Sequence, residues 1–237
     1  MGTIGKNIKV YILHGWSYST EKWKPFLDLL DKNKTDYEML KIPGLTAPLD
    51  TVWEINDYVE WLTSETKSEK KIILLAHSNG ARIASAFASK YPAKVEKIIF
   101  IGAAGILRKD LATTFRKNFF KILAKSGKKF TQAPILRKLV YRLAGEHDYE
   151  KANPIVKMTM LNLISIDCGQ FYEKIQSPTL IIWGKQDKLT PLSGGIKINK
   201  LISGSKLFVI DNAKHSPQFT NTKEVFEIVN GFLSSRT

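Results

Sequence analysis

Five apolar residues, Ile72, Ile73, Leu74, Leu75 and Ala76, run without a break into His77-Ser78-Asn79-Gly80, and a helical pattern follows at once. A short apolar run of this kind reads as a strand buried on both faces. A strand that passes directly into a helix puts the serine on a sharp turn at the edge of a sheet. Such a turn lifts the hydroxyl above the sheet and leaves no room for side chains two positions away on either side. Ala76 and Gly80 meet that demand.

The rest of the chain repeats the same alternation. Strands are expected over 8–13, 37–42, 71–77, 95–101, 178–183 and 206–210, with helices over 21–32, 51–65, 79–90, 193–202 and 222–234. Alternation of this kind predicts a mostly parallel sheet covered by helices on both faces. At 237 residues, 43% of them hydrophobic, the chain can bury one sizeable core, and no linker divides it. No internal repeat or phosphate-binding glycine motif is visible. Gly102-Ala103-Ala104-Gly105 does not match a dinucleotide fingerprint and reads as a turn.

Around Ser78 the chain resembles the α/β-hydrolase superfamily, whose nucleophile elbow reads small-x-nucleophile-x-small, usually with glycine at both ends. Ala76 departs from that glycine by one methyl group. The resemblance implies an acid after a later strand and a histidine after the last one, in chain order nucleophile, acid, histidine. Asp187 follows the strand that ends at Trp183, and His215 follows the strand that ends at Ile210. Asp211 competes as the acid but lies only four residues before His215, at the mouth of its own strand. Asp167 is a more distant rival. A serine hydroxyl is a poor nucleophile at neutral pH, so the imidazole has to take its proton and the carboxylate has to hold the imidazole tautomer. The turn His14-Gly15-Trp16 after the first strand resembles the superfamily's oxyanion turn, implying the backbone N–H groups of Trp16 and Asn79 as oxyanion donors. His14 is read as a residue that holds this loop and His77 as buried support. The first strand begins close to residue 1, so the superfamily's two leading antiparallel strands are expected to be missing, leaving about six. Serine at the elbow argues against members that open epoxides or displace halide, which carry aspartate there.

The segment between the strands ending near Ile101 and starting near Thr179 exceeds what the sheet needs, and the resemblance places a helical cap there. The expected division is a core of 1–104 and 173–237 with a cap of 105–172. Phe115, Phe119 and Met158 on the cap, with Trp16 and Tyr18 beyond the oxyanion turn, are candidate substrate contacts. The cap is also the basic part: residues 108–157 hold 13 Lys and Arg against 4 Asp and Glu, within a chain of net charge +14. These lysines are spread over helical faces without a nucleic-acid motif or a stacking platform, so solubility explains them better than a partner does. No nucleic-acid partner is expected. A weak attraction to anionic surfaces through the cap is the alternative use of that charge.

Cys168 alone cannot form an intramolecular disulfide and reads as a small packing residue. With no long apolar segment at the N-terminus or elsewhere, the expectation is a cytoplasmic enzyme without a transmembrane span. Its chemistry would need neither metal nor organic cofactor. The resemblance implies a serine hydrolase acting on a small-molecule acyl substrate, a small to medium carboxylic ester, through an acyl-enzyme. Lactones, carbon–carbon bonds of ring-cleavage diketones, thioesters and amides are the rival substrates for the same triad. A ligand- or polyanion-binding protein on a hydrolase scaffold is the rival from outside catalysis. Oligomeric state is not readable from the chain.

Overall fold

A computed structural model describes residues 8–106 and 153–235. Its strands are β1 (Val10–Leu13), β2 (Tyr37–Met39), β3 (Ile72–His77), β4 (Val95–Ile101), β5 (Thr179–Gly184) and β6 (Lys206–Ile210). They form one sheet in the order β2-β1-β3-β4-β5-β6, every neighbouring pair parallel. Among the described residues the sheet therefore has the six parallel strands of the expected architecture.

Side chains alternate across the strands and build two apolar layers. Tyr11, Leu13, Leu74, Ala76, Ile98, Phe100, Ile181 and Trp183 face one way, into a layer shared with α2 (Ile55–Glu65), α3 (Gly80–Lys90) and α6 (Leu192–Leu201). Val10, Ile12, Ile73, Leu75, Ile99, Ile101, Leu180 and Ile182 face the other, against α1 (Lys24–Lys32) and α8 (Thr222–Ser234). Two more helices precede β5, namely α4 (Pro154–Ile164) and α5 (Gly169–Tyr172), and α7 (Pro217–Thr220) precedes α8.

Boundaries moved where local chemistry overrode the pattern. The helix expected from residue 51 starts at Ile55, because Glu54 takes the N-cap position and exchanges hydrogen bonds with Asp57 in a capping box. The strand expected over 37–42 stops at Met39, and the carbonyl of Ile42 instead accepts from the N–H groups of Leu45, Thr46 and Ala47, closing a tight loop. Within the range expected for the cap, Leu163, Cys168 and Tyr172 belong to the same buried cluster as β3 and α3. Tyr172 donates its hydroxyl to the Ala104 carbonyl at 2.8 Å. Phe115 and Phe119 lie outside the described residues. Among the described residues no helix is long and apolar enough to cross a membrane.

The chain runs from β1 outward to β2 and then returns past β1 to β3. The connections after β1 and β3 therefore lead to opposite sides in the strand order, and such a switch point is where open α/β sheets bind ligands. The His14 turn and Ser78 leave these two strands, and the residues after β5 and β6 complete the same edge.

Candidate active site

Ser78 has a φ of +50°, in the left-handed region that a side chain rarely adopts. Such a conformation costs about 1–3 kcal/mol and persists only when the surroundings impose it. Here the serine N–H donates to the Ile101 carbonyl at 3.0 Å, and its own carbonyl accepts from Ala104 at 3.0 Å and Ala81 at 3.1 Å. Gly80 permits the close approach of the neighbouring turn: a Cβ there would collide with the Leu13 carbonyl and lie 2.8 Å from the His14 carbonyl. Crowding at the elbow thus comes from β1 and its turn.

From this turn the Ser78 hydroxyl reaches His215, with Oγ 2.8 Å from Nε2. On its other side the imidazole places Nδ1 2.8 Å from Asp187 Oδ2. Asp187 has a wholly buried side chain, while 14% of the His215 side chain remains exposed. Burial alone would raise the Asp187 pKa, but hydrogen bonds from His215 and Thr190 outweigh it and hold the carboxyl below its ordinary value. Its Oδ1 accepts from the N–H groups of Leu189 at 2.8 Å and Thr190 at 2.9 Å. The Thr190 hydroxyl donates to Oδ2 at 2.7 Å and also lies 3.1 Å from His215 Nδ1. The rival acids are elsewhere. Asp211 pairs with Lys185 at 2.9 Å with 72% of its side chain exposed, and Asp167 accepts from the Gly169 N–H at 3.1 Å on the surface.

The loop bearing His215 needs room at the ends of the central strands. A Cβ on Gly184 would strike the carbonyls of Lys214 and Ala213, so only glycine lets this loop lie across β5. His77 supports it from below, its Nε2 3.3 Å from both the His215 carbonyl and Ser216 Oγ. Burial, reinforced by the His215 imidazole, pushes His77 down to about 3, so it stays neutral.

After β1, His14 is buried, and Nδ1 lies 2.7 Å from the Gly15 carbonyl while Nε2 lies 2.8 Å from Thr46 Oγ1. The Gly15 carbonyl can only accept, which leaves Nε2 to accept from the Thr46 hydroxyl, whose oxygen in turn accepts from the Ile42 N–H at 2.9 Å. Nδ1 then carries the ring proton and donates it to Gly15. Burial lowers the His14 pKa and keeps that neutral form. In a trans peptide the C=O and the next N–H point oppositely, so holding the Gly15 carbonyl also aims the Trp16 N–H. Among the described residues neither the Trp16 nor the Asn79 N–H donates to a protein acceptor. Gly15 abuts the elbow closely enough that a Cβ on it would lie 3.1 Å from Ser78 Cβ.

Trp16 is half-buried against the core, Tyr18 is 37% exposed, and Met158 is half-buried on α4. Helix α4 is tied to the loop before α2, since Trp53 N–H donates to Thr159 Oγ1 at 3.0 Å and Asn162 Nδ2 to the Trp53 carbonyl at 3.2 Å. Sequence reasoning missed Thr190 and Thr46. The spacing Asp187-x-x-Thr190 was the only signal for the first, and nothing local pointed to the second. Cys168, expected away from the elbow, has its sulfur 3.9 Å from Nη1 of Arg82 on the elbow helix. Burial raises its thiol pKa, which suits a packing role.

Comparison with known proteins agrees with this picture. Monoacylglycerol lipase abhd6-B of Xenopus laevis is 26% identical over 99% of this chain and 77% of its own length. The pimeloyl-[acyl-carrier protein] methyl ester esterase of Legionella pneumophila (strain Paris) is 23% identical over 97% of this chain and 96% of its own. Among solved structures, a thermophilic esterase from Thermogutta terrifontis superposes with a TM-score of 0.70 at 18% identity, covering 95% of this chain and 89% of that one, which shows the shared fold. The family described as serine aminopeptidase, S33, matches residues 48–220. The chain belongs to that family of α/β hydrolases.

Proposed function

We propose that this protein is a serine hydrolase that cleaves small to medium carboxylic esters through an acyl-enzyme intermediate. The observation that carries the reading is the unbroken relay from Ser78 Oγ through His215 to Asp187, with both links at 2.8 Å. In this reading His215 Nε2 takes the Ser78 proton as Oγ attacks the ester carbonyl, and Asp187 stabilises the imidazolium. The N–H groups of Trp16 and Asn79 receive the oxyanion of the tetrahedral intermediate. His215 then returns the proton to the leaving alcohol, and a water activated by the same imidazole releases the acid. Support for an ester comes from relatives named as a monoacylglycerol lipase and a methyl ester esterase. The basic segment 105–172 would act as the cap over the site, with Met158 and Tyr18 among its substrate contacts.

Hydrolysis of p-nitrophenyl esters from acetate to dodecanoate, by wild type and Ser78→Ala in parallel, tests this. Activity that disappears with Ser78→Ala, with a defined chain-length optimum, is the expected result. Hydrolysis that survives the substitution would refute the mechanism, and no hydrolysis of any member would refute the substrate class.

A further inference from the structure

Five buried polar side-chain atoms among the described residues have no hydrogen-bond partner, and they belong to Trp16, His77, Asn79 and Gln218. These four residues lie within three positions of Gly15, Ser78 or His215. Buried polar groups are nearly always paired, so a cluster of orphans asks for an explanation. At a ligand site the explanation is a partner that arrives with the ligand. Two of the orphans, Asn79 Nδ2 and Trp16 Nε1, sit on the residues whose backbone N–H groups face the oxyanion in the proposed mechanism. Asn79 is only 6% exposed. An indole N–H can only donate, so Trp16 sets the polarity of the pair, and the missing partner is an acceptor.

Geometry then narrows where that acceptor belongs. The two side chains start from backbones that meet at Gly15 and Ser78. Trp16 and Asn79 each stand next in the chain to one of these two residues, so both side chains leave the same corner of the elbow. Of the groups on the reacting carbonyl, the leaving oxygen has to face His215 Nε2 to receive its proton. The acyl chain therefore takes the side away from His215.

Resting on the esterase reading, we propose that Asn79 and Trp16 form a donor pair that reads an acceptor oxygen on the acyl chain, one or two carbons from the scissile carbonyl. The preferred substrate is then an ester of an alkoxy, hydroxy or keto acid, not of a plain alkanoic acid. Asn79 is a specificity-determining residue through its side chain, apart from any service of its backbone N–H.

The test uses p-nitrophenyl methoxyacetate and p-nitrophenyl butyrate, which differ by one ether oxygen in place of a methylene. The quantity read is the ratio of their kcat/KM values in each protein, so the intrinsic reactivities of the two esters divide out between proteins. Asn79→Leu, which keeps the volume without the amide, is expected to lower that ratio about tenfold, the range of one neutral hydrogen bond. Trp16→Phe should lower it in the same direction. A general loss of packing would slow both esters alike and leave the ratio where it was, which would overturn the proposal. Binding supplies a second readout that needs no turnover: methoxyacetate should raise the melting temperature of the wild type more than butyrate does, and this difference should vanish in Asn79→Leu. Absence of Ser78-dependent hydrolysis of either ester would refute the esterase reading itself. An equal response to the two acids in wild type and variant would overturn the donor pair on its own.

Discussion

Asp187→Asn is a sharp test of the relay, because the surroundings dictate how the new side chain has to sit. Two backbone donors, the N–H groups of Leu189 and Thr190, fix Oδ1 of Asp187 at 2.8 and 2.9 Å. Neither can accept a hydrogen bond, so an amide has to keep its oxygen there and turn its NH2 to the place of Oδ2, 2.8 Å from His215 Nδ1. The NH2 donates, Nδ1 is forced to accept, and the ring proton moves to Nε2. That atom faces Ser78 Oγ at 2.8 Å and, once protonated, cannot take the serine proton. Turnover at pH 7 is expected to fall by about 10⁴, equivalent to about 5.4 kcal/mol of transition-state stabilisation. The fold should survive, since the Thr190 hydroxyl can give up Oδ2, accept from the amide and donate to the Gly102 carbonyl 3.2 Å away. Initial rates on the best p-nitrophenyl ester, with melting curves of both proteins, measure the two quantities together. A well-folded variant within tenfold of wild-type activity would refute the tautomer reasoning, and loss of activity in Asp211→Asn would move the acid to the wrong strand end.

The remaining expectations concern the supports of the site and of the fold. Thr46→Val removes the proton that fixes His14; kcat should fall about tenfold with KM little changed, in the manner of a lost interaction confined to the transition state, while Thr46→Ser retains the activity. Equal rates in the two variants would show that His14 does not aim the Trp16 N–H. Because the folded Asp187 carboxyl titrates below its ordinary value, its contribution to stability is complete above about pH 3.9 and lost as the pH falls through the folded value. Acid melting of Asp187→Asn should therefore depend less on pH below about 4 than that of wild type, and identical slopes would contradict this. Lys97 is buried on β4 and donates to the carbonyls of Phe232, Leu233 and Ser235 at 2.9, 3.0 and 2.6 Å, closing the end of α8. Lys97→Met keeps the stem and orphans those carbonyls, so urea unfolding should show a loss of about 1–3 kcal/mol with turnover unaffected.

How much of this was legible in the sequence follows from the reach of each interaction. Strand periodicity is set by neighbours two residues apart, so β4 and β6 were placed at the residues where they occur, and the alternation of Tyr11 and Leu13 against Val10 and Ile12 is the two-layer core seen from inside one strand. Ser78, Asp187 and His215 were visible because the sheet converts strand ends into neighbours, so three residues far apart in the chain meet once their strands are ordered. Edges defined by side-chain chemistry were not visible: the capping box at Glu54 and Asp57 and the loop around the Ile42 carbonyl both overrode apolar patterns that ran past them.

Least legible was the support of the site, and the reason is physical. Thr46 matters because its hydroxyl happens to fall 2.8 Å from a histidine 32 residues earlier, and Thr190 because one hydroxyl lies within reach of both Asp187 and His215. Neither residue is marked by periodicity or by its neighbours, since a threonine in a loop is ordinarily a solvated one. Yet Thr46 holds the ring of buried His14, and Thr190 holds the carboxylate that fixes the proton on His215, and in the proposed mechanism that proton's position separates a competent Ser78–His215 pair from an inert one. The strand order gives the residues their meeting place. Loop hydroxyls hold in place the groups that set the tautomers, which is why substitutions at Thr46 should change rate while leaving the core unchanged.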